Sequence, residues 1–180
     1  MQDILNGLRK DHRNILRLLD AFARELSLLE ADGEPDYELL DDILRYSLDY
    51  PDQAHHRTEE YLVQRLLQEY PDVRDISQIL LGEHEELRSA ALDILNLLRH
   101  LLDGQDVDRV VFSRNCRCFI QSYQRHIRRE EALLFPLVED VLSTGENFNI
   151  PRVTKEPAGS GEFSDSVRGA RLRLVVSVPD

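Results

Sequence analysis

Four long stretches of this chain carry apolar residues at helical spacing, and each sets one histidine inside its apolar stripe. Apolar residues recurring every three or four positions mark one face of an α-helix, a face that has to be buried. The first stretch, about 3–30, shows Leu5, Leu8, Ile15, Leu19, Phe22 and Leu26 before Ala31-Asp32-Gly33-Glu34-Pro35 stops it. The second, about 36–69, shows Leu40, Ile43, Leu44, Leu48, Leu62, Val63 and Leu66. Pro51 falls inside it and predicts a kink or restart, because proline removes a backbone bond and clashes with the preceding turn. The third, about 73–102, shows Val73, Ile76, Leu80, Leu87, Ile94, Leu95 and Leu98, and Asp103-Gly104-Gln105 ends it. The fourth, about 106–142, shows Phe112, Phe119, Tyr123, Leu133, Leu137 and Val141, and is closed by Ser143-Thr144-Gly145.

Helices joined by short connections pack as antiparallel neighbours. The expected fold is all-α, an up-down-up-down four-helix bundle over residues 1–145. Residues 146–180 read as a linker and an irregular tail. Within them 155–161 (KEPAGSG) is linker-like and 171–178 (RLRLVVSV) is strand-like. That tail is expected to be disordered, to pack as a strand outside the bundle, to pair between chains, or to be an appended sequence.

The charge balance narrows the class of partner. The chain has 34 acidic residues against 22 Lys and Arg, a formal net charge of -12. Nucleic acid and anionic membrane both require a basic footprint, so neither is expected as a partner. An acidic surface does suit a protein that handles cations. No run approaches the ~18 apolar residues of a membrane span. Gln2, Asp3, Asn6, Arg9 and Lys10 interrupt the first ten residues, which therefore lack a signal-peptide core. Cys116 and Cys118 are too close for an ordinary disulfide. These features together point to a reducing, cytoplasmic compartment.

The histidines carry the chemistry. His12 follows Leu8 by four and precedes Ile15 by three; His55 lies seven from both Leu48 and Leu62. His84 follows Leu80 by four and precedes Leu87 by three; His126 lies seven from both Phe119 and Leu133. One imidazole per helix is thus aimed at the bundle axis. A single core histidine is unremarkable, but four polar rings in one core cost several kcal/mol unless each is partnered. One metal site would satisfy all four.

Two carboxylates strengthen this reading. Glu59 follows His55 by four, and Glu130 follows His126 by four. Residues i and i+4 share a helix face about 6 Å apart along the axis, so each pair aims an imidazole and a carboxylate at one point. The flanking patterns repeat, HHRTEE in one helix and HIRREE in the other. Alone, each glutamate reads as a surface acid beside Arg57, Arg65, Arg128 or Arg129; two carboxylates in a core need a compensating cation. Four imidazoles and two carboxylates drawn from four helices match a carboxylate-bridged dinuclear centre. Mixed nitrogen and oxygen ligation suits two non-haem iron ions, with manganese or zinc by substitution. Six protein ligands for two metals leave positions open to small ligands such as O2, NO or peroxide.

These residues resemble the hemerythrin-like (HHE cation-binding) family. The matching segments are Asp11-His12-Arg13-Asn14-Ile15, His55-His56-x-x-Glu59-Glu60, Glu83-His84-Glu85-Glu86-Leu87 and the run from His126 through Glu130-Glu131 to Leu134-Phe135-Pro136. Tyr50-Pro51-Asp52-Gln53-Ala54-His55-His56 resembles a bacterial subfamily. The likeness covers about residues 3–142 and implies a four-helix bundle with a di-iron site. Its ligands would be His12, His55, Glu59, His84, His126 and Glu130, with the two glutamates bridging. In oxygen-carrying hemerythrins the third helix supplies two histidines one turn apart, whereas here Arg88 stands four after His84. The fourth-helix acid is a glutamate four residues after its histidine, rather than an aspartate five after. Both departures are closer to the bacterial four-His, two-Glu proteins associated with iron-centre repair under nitrosative stress. Those often have a cysteine-bearing N-terminal segment that this sequence lacks.

Other polar residues are expected to stand aside. His56 lies about 100° round the helix from His55 and reads as exposed or behind the ligands. His100 reads as a helix-end cation beside Arg99, Tyr123 as a core tyrosine, Cys116 and Cys118 as packing or half-buried thiols on different sides of the fourth helix, and Glu83, Glu85 and Glu86 as a solvated face. The function expected is di-iron binding that serves to bind or sense O2, NO or related oxidants, or to handle iron. The alternatives are a di-iron oxidoreductase (peroxidase-like or NO- or O2-reducing, with an unknown electron donor), an iron-centre repair protein, and a metal-free helical interaction module. The sequence leaves a homodimer open.

Overall fold

The computed structural model describes residues 2–50 and 55–143, together with Leu172 and Val175. The described residues form helices α1 (Gln2–Glu30), α2 (Tyr37–Tyr50), α3 (His56–Glu69), α4 (Arg74–Leu102), α5 (Arg109–Arg129) and α6 (Phe135–Ser143). A 3-10 turn, Pro71–Val73, leads into α4, and a π-helical turn, Glu130–Leu134, joins α5 to α6. No strand occurs among the described residues. Helix α2 ends at Tyr50 and α3 begins at His56; the break expected at Pro51 falls in residues 51–54, outside the described ones.

Local chemistry sets the helix ends. At the end of α1 the Gly33 N–H donates to the Leu28 carbonyl (2.8 Å) and the Asp32 N–H to that of Leu29 (3.3 Å). This is a Schellman closure, in which Asp32 takes the left-handed conformation (φ 55°). Asp36 then caps α2, its Oδ1 accepting from the Leu39 N–H at 2.9 Å. The α4 end repeats the closure, with Gly104 at φ 71° and Gln105 N–H donating to His100 O at 3.0 Å. Asp108 caps α5 by accepting from the N–H groups of Val110 (2.8 Å) and Val111 (3.2 Å).

The helices pack in a ring, α1 against α2 and α5, and α4 against the same two. Their apolar faces form two separate clusters. One contains Ile15, Leu19 and Phe22 of α1, Leu40 and Ile43 of α2, Leu87 and Ile94 of α4, and Phe112 and Phe119 of α5. The other contains Leu5 and Leu8 of α1, Leu62 and Leu66 of α3, Leu80 of α4, and Leu134, Phe135 and Val138 at the α5–α6 junction. The chain runs from the second cluster to the first along α1, back through α2 and α3, forward along α4 and back through α5 and α6. The layer between the clusters is where His12, His55, His84 and His126 fall in sequence.

Two expectations need correction or completion. Leu133, expected in the fourth stripe, is 46% exposed, and Leu134 is buried instead. The π turn inserts one residue into the helical repeat and so moves the apolar face forward by one position. Of the 171–178 stretch expected as a strand, the described residues are Leu172 and Val175, both helical. Leu172 is buried in the first cluster and Val175 packs against it. The rest of 146–180 lies outside the described residues.

Candidate metal centre

Each element delivers its polar side chains to the layer between the apolar clusters. Helix α1 supplies His12 and α4 supplies His84. The start of α3 supplies His55, His56 and Glu59. The end of α5 and the π turn supply His126 and Glu130. All seven are buried. The ring of Phe135, in the second cluster, stacks on His12 with 5.2 Å between centroids and 4° between planes.

The inward nitrogens converge on the two glutamates. Glu130 Oε2 lies 3.2 Å from His12 Nε2, and Glu130 Oε1 lies 3.0 Å from His126 Nε2 and 3.4 Å from His84 Nε2. Glu59 Oε1 lies 3.1 Å from His55 Nε2 and 3.5 Å from His12 Nε2, while its Oε2 lies 3.6 Å from His84 Nε2. Each carboxylate therefore faces histidines on both sides of the layer. Two groups have donor atoms within 4.8 Å of one another: His12, His55, Glu59 and Glu130; and His56, Glu59, His84 and His126. The six residues singled out in the sequence thus come together, divided between two positions.

The donor set fits metal cations. His12 Nε2, His126 Nε2, Glu130 Oε2 and both oxygens of Glu59 are buried without a hydrogen-bond partner. Buried polar atoms are seldom left so, because each costs desolvation that nothing repays. Here they cluster and face one another. Nitrogen and carboxylate donors shared in this way are the ligand types of iron, manganese and zinc.

Electrostatics in the metal-free layer run strongly toward charge. Burial lowers the His12 pKa, but the Glu130 and Glu59 carboxylates facing its ring outweigh that and the value rises to about 9. Burial likewise opposes charge on His55, yet Glu59 and Asp11 raise it to about 10. His126 is raised by Glu130 against the same burial penalty. Burial and Glu130 push Glu59 upward, and His55 and His12 reverse that, leaving it below the usual carboxylate value. Burial pushes Glu130 up as well, but His12, His126 and His84 pull it well below. The layer is a knot of mutually neutralising charges, which a cation would replace by displacing protons from imidazole.

The outer ring nitrogens also meet carboxylates. Glu131 Oε1 lies 2.9 Å from His12 Nδ1, Asp11 Oδ2 lies 3.3 Å from His55 Nδ1, and Glu83 Oε2 lies 3.1 Å from His126 Nδ1. Glu60 Oε1 stands 3.9 Å from His84 Nδ1. Glu83 is therefore not part of a solvated face: its side chain is mostly buried and also accepts from Arg129. The signal for these residues was present in the sequence, since each acid is adjacent to a buried His or Glu.

His56 corrects another expectation. It is 4% exposed and stacks on His84, with 4.0 Å between ring centroids and 12° between planes. Two adjacent residues 100° apart can both face a wide layer, each about 50° to one side of the inward direction. His55 also sits in a π-helical turn rather than an α-helical one. The two donor groups take one ring each, His55 the first and His56 the second. His100 is exposed at the end of α4 and Tyr123 is buried beside Phe119, as expected, whereas Cys118, two residues and so about 200° round the helix from the buried Cys116, is exposed rather than packed. Cys116 is buried, which pushes its thiol up to about 12.

The description "Hemerythrin HHE cation binding domain" belongs to a family model that matches residues 3–138, most of the chain. The chain belongs to the hemerythrin HHE family. Relatives in Mycobacterium tuberculosis and Mycobacterium bovis, both described as uncharacterized, are 22% identical over 139 residues. The match covers 77% of this chain and 54% of each relative, so this hemerythrin-like chain spans about half their length. No solved structure matches it. The family is one of cation-binding helical domains, which agrees with the convergence of His and Glu in the bundle interior. No helix among the described residues is long and apolar enough to cross a membrane.

Proposed function

We propose that this hemerythrin-family chain is a non-haem di-iron protein that binds or senses O2, NO or related oxidants, or handles iron. The observation that carries this reading is the pair of donor groups sharing Glu59, with Glu130 reaching histidines of both. His12 and His55 would hold one ion, and His56, His84 and His126 the other, with both glutamates between them. Such a pair supplies redox-active positions open to a diatomic or peroxide ligand. The chain's part is to fix the donors in a dry layer between two apolar clusters. The alternating passage of the elements between those clusters supports an up-down-up-down four-helix bundle as the frame. The departures in the third and fourth helices favour the bacterial four-His, two-Glu type, to which His56 adds a fifth imidazole. The compartment that suits this chemistry is the cytoplasm, and no nucleic acid or membrane partner is part of the reading.

The test is an absorption spectrum of the purified chain in air and after adding NO, with elemental analysis. A coupled ferric pair absorbs in the near ultraviolet and responds to NO, whereas zinc is silent. His55→Ala is expected to halve the bound metal, and Glu59→Ala to strip or halve it. Metal content unchanged in both variants would favour a metal-free interaction module instead.

A further inference from the structure

Asp11, Glu60, Glu83 and Glu131 each stand next to an inward-facing residue, yet none serves the histidine of its own helix. Asp11 of α1 meets His55 at the start of α3, and Glu60 of α3 stands nearest His84 of α4. Glu83 of α4 meets His126 of α5, and Glu131 of the π turn meets His12 of α1. We propose that these four carboxylates form a closed, one-way ring of positioning residues, each aiming the imidazole of the next element at the cation pair. The proposal rests on the di-iron reading above.

Helix geometry accounts for the ring. A residue adjacent to an inward-facing one is turned about 100°, toward the neighbouring helix. Asp11 and Glu83 precede their inward neighbours, His12 and His84, on elements that run from the second apolar cluster to the first. Glu60 and Glu131 follow theirs, Glu59 and Glu130, on elements that run the other way. Reversing the helix direction and reversing the sequence offset cancel, so all four acids lean in the same rotational sense. That is why the ring closes without two acids meeting at one histidine. A carboxylate accepting Nδ1–H fixes the tautomer that leaves the Nε2 lone pair for a metal, and it locks the ring's orientation. The Glu60 link, at 3.9 Å, is the loosest.

The experiment measures ferrous iron binding to the whole chain under anaerobic conditions, against a competing chelator. Asp11→Asn, Glu83→Gln and Glu131→Gln are each expected to weaken iron binding about 10–100-fold. Glu60→Gln should weaken it less. Glu85→Gln, at an exposed acid whose partner is Arg88, should leave it unchanged. A merely structural role is separated by background. In His55→Ala, Asp11→Asn should cost nothing further on the remaining iron, while Glu83→Gln should still weaken it. Melting of the metal-free variants monitors the fold, and Glu131→Gln, at a half-exposed acid, gives a variant that leaves the core intact. A wild-type chain that binds two irons, with affinity unmoved by all three substitutions, overturns the ring alone. So does an equal Asp11→Asn loss with and without His55. A wild-type chain that takes up no iron overturns the di-iron reading and the ring with it.

Discussion

His55 and His56 show what spacing can and cannot reveal. His12, His55, His84, His126, Glu59 and Glu130 were legible because each is in phase with an apolar stripe. His56 was not, since phase arguments assume one inward direction and this layer has two. His56→Ala is expected to lower bound iron from two toward one per chain, and His100→Ala to leave it at two; elemental analysis checks both. The titration of the same residues gives a second prediction. His12 and His55 titrate near 9 and 10 in the folded metal-free chain, above the ordinary 6.5. Their contribution to stability is therefore complete below the ordinary value and is lost as pH rises through 9 and 10. Glu59 and Glu130 are depressed, so their contribution is present above the ordinary carboxylate value of 4.5 and lost as pH falls. The groups facing these residues are Asp11, Glu60, Glu83 and Glu131, together with His56, His84 and His126. The melting temperature of the metal-free chain should peak at about pH 5–6 and fall toward pH 10. Iron affinity should rise with pH over the same range, because imidazole must lose its proton to bind metal.

At the scale of elements, helix periodicity located the helices and missed one local irregularity. The π turn at Glu130–Leu134 leaves Glu130 in phase with His126 and shifts everything after it by one residue. A helix drawn with constant winding puts Leu133 in the core; the structure puts Leu134, Phe135 and Val138 there. No residue type in EEALL announces such a turn, since each is an ordinary helix former. Leu134→Ala should cost about 2–5 kcal/mol through the cavity it leaves. Leu133→Ala should stay within about 0.5 kcal/mol, as exposed positions usually do. Denaturant unfolding of the two variants distinguishes them, and the reverse ranking would mean that the π turn is misplaced. Asp108, which caps α5, lies two residues after the expected start, and Asp108→Ala should destabilise α5 by about 1 kcal/mol.

For the molecule as a whole, the sequence revealed an all-helical chain with a polar layer inside it. It did not reveal that this layer divides the core into two apolar clusters, because that depends on which stripes meet across helices. Nor did it reveal where Leu172 goes. Two adjacent β-branched residues made 171–178 read as a strand, whereas Leu172 is buried in the first apolar cluster, whose other members all lie far from it in sequence. The polar layer makes stability and metal loading one problem. Without metal, the layer holds together through opposed buried charges, an arrangement of small net benefit. With metal, binding should add about 2.7 kcal/mol at a free concentration one hundred times the dissociation constant, so the melting temperature should climb with added iron. The claim on which the rest depends is that the layer holds two cations. It is tested most directly by counting ferrous ions bound per chain after anaerobic reconstitution and removal of excess metal. The account predicts two in the wild type and fewer in Glu59→Ala; a wild-type count of zero, or a count that Glu59→Ala leaves unchanged, would contradict it.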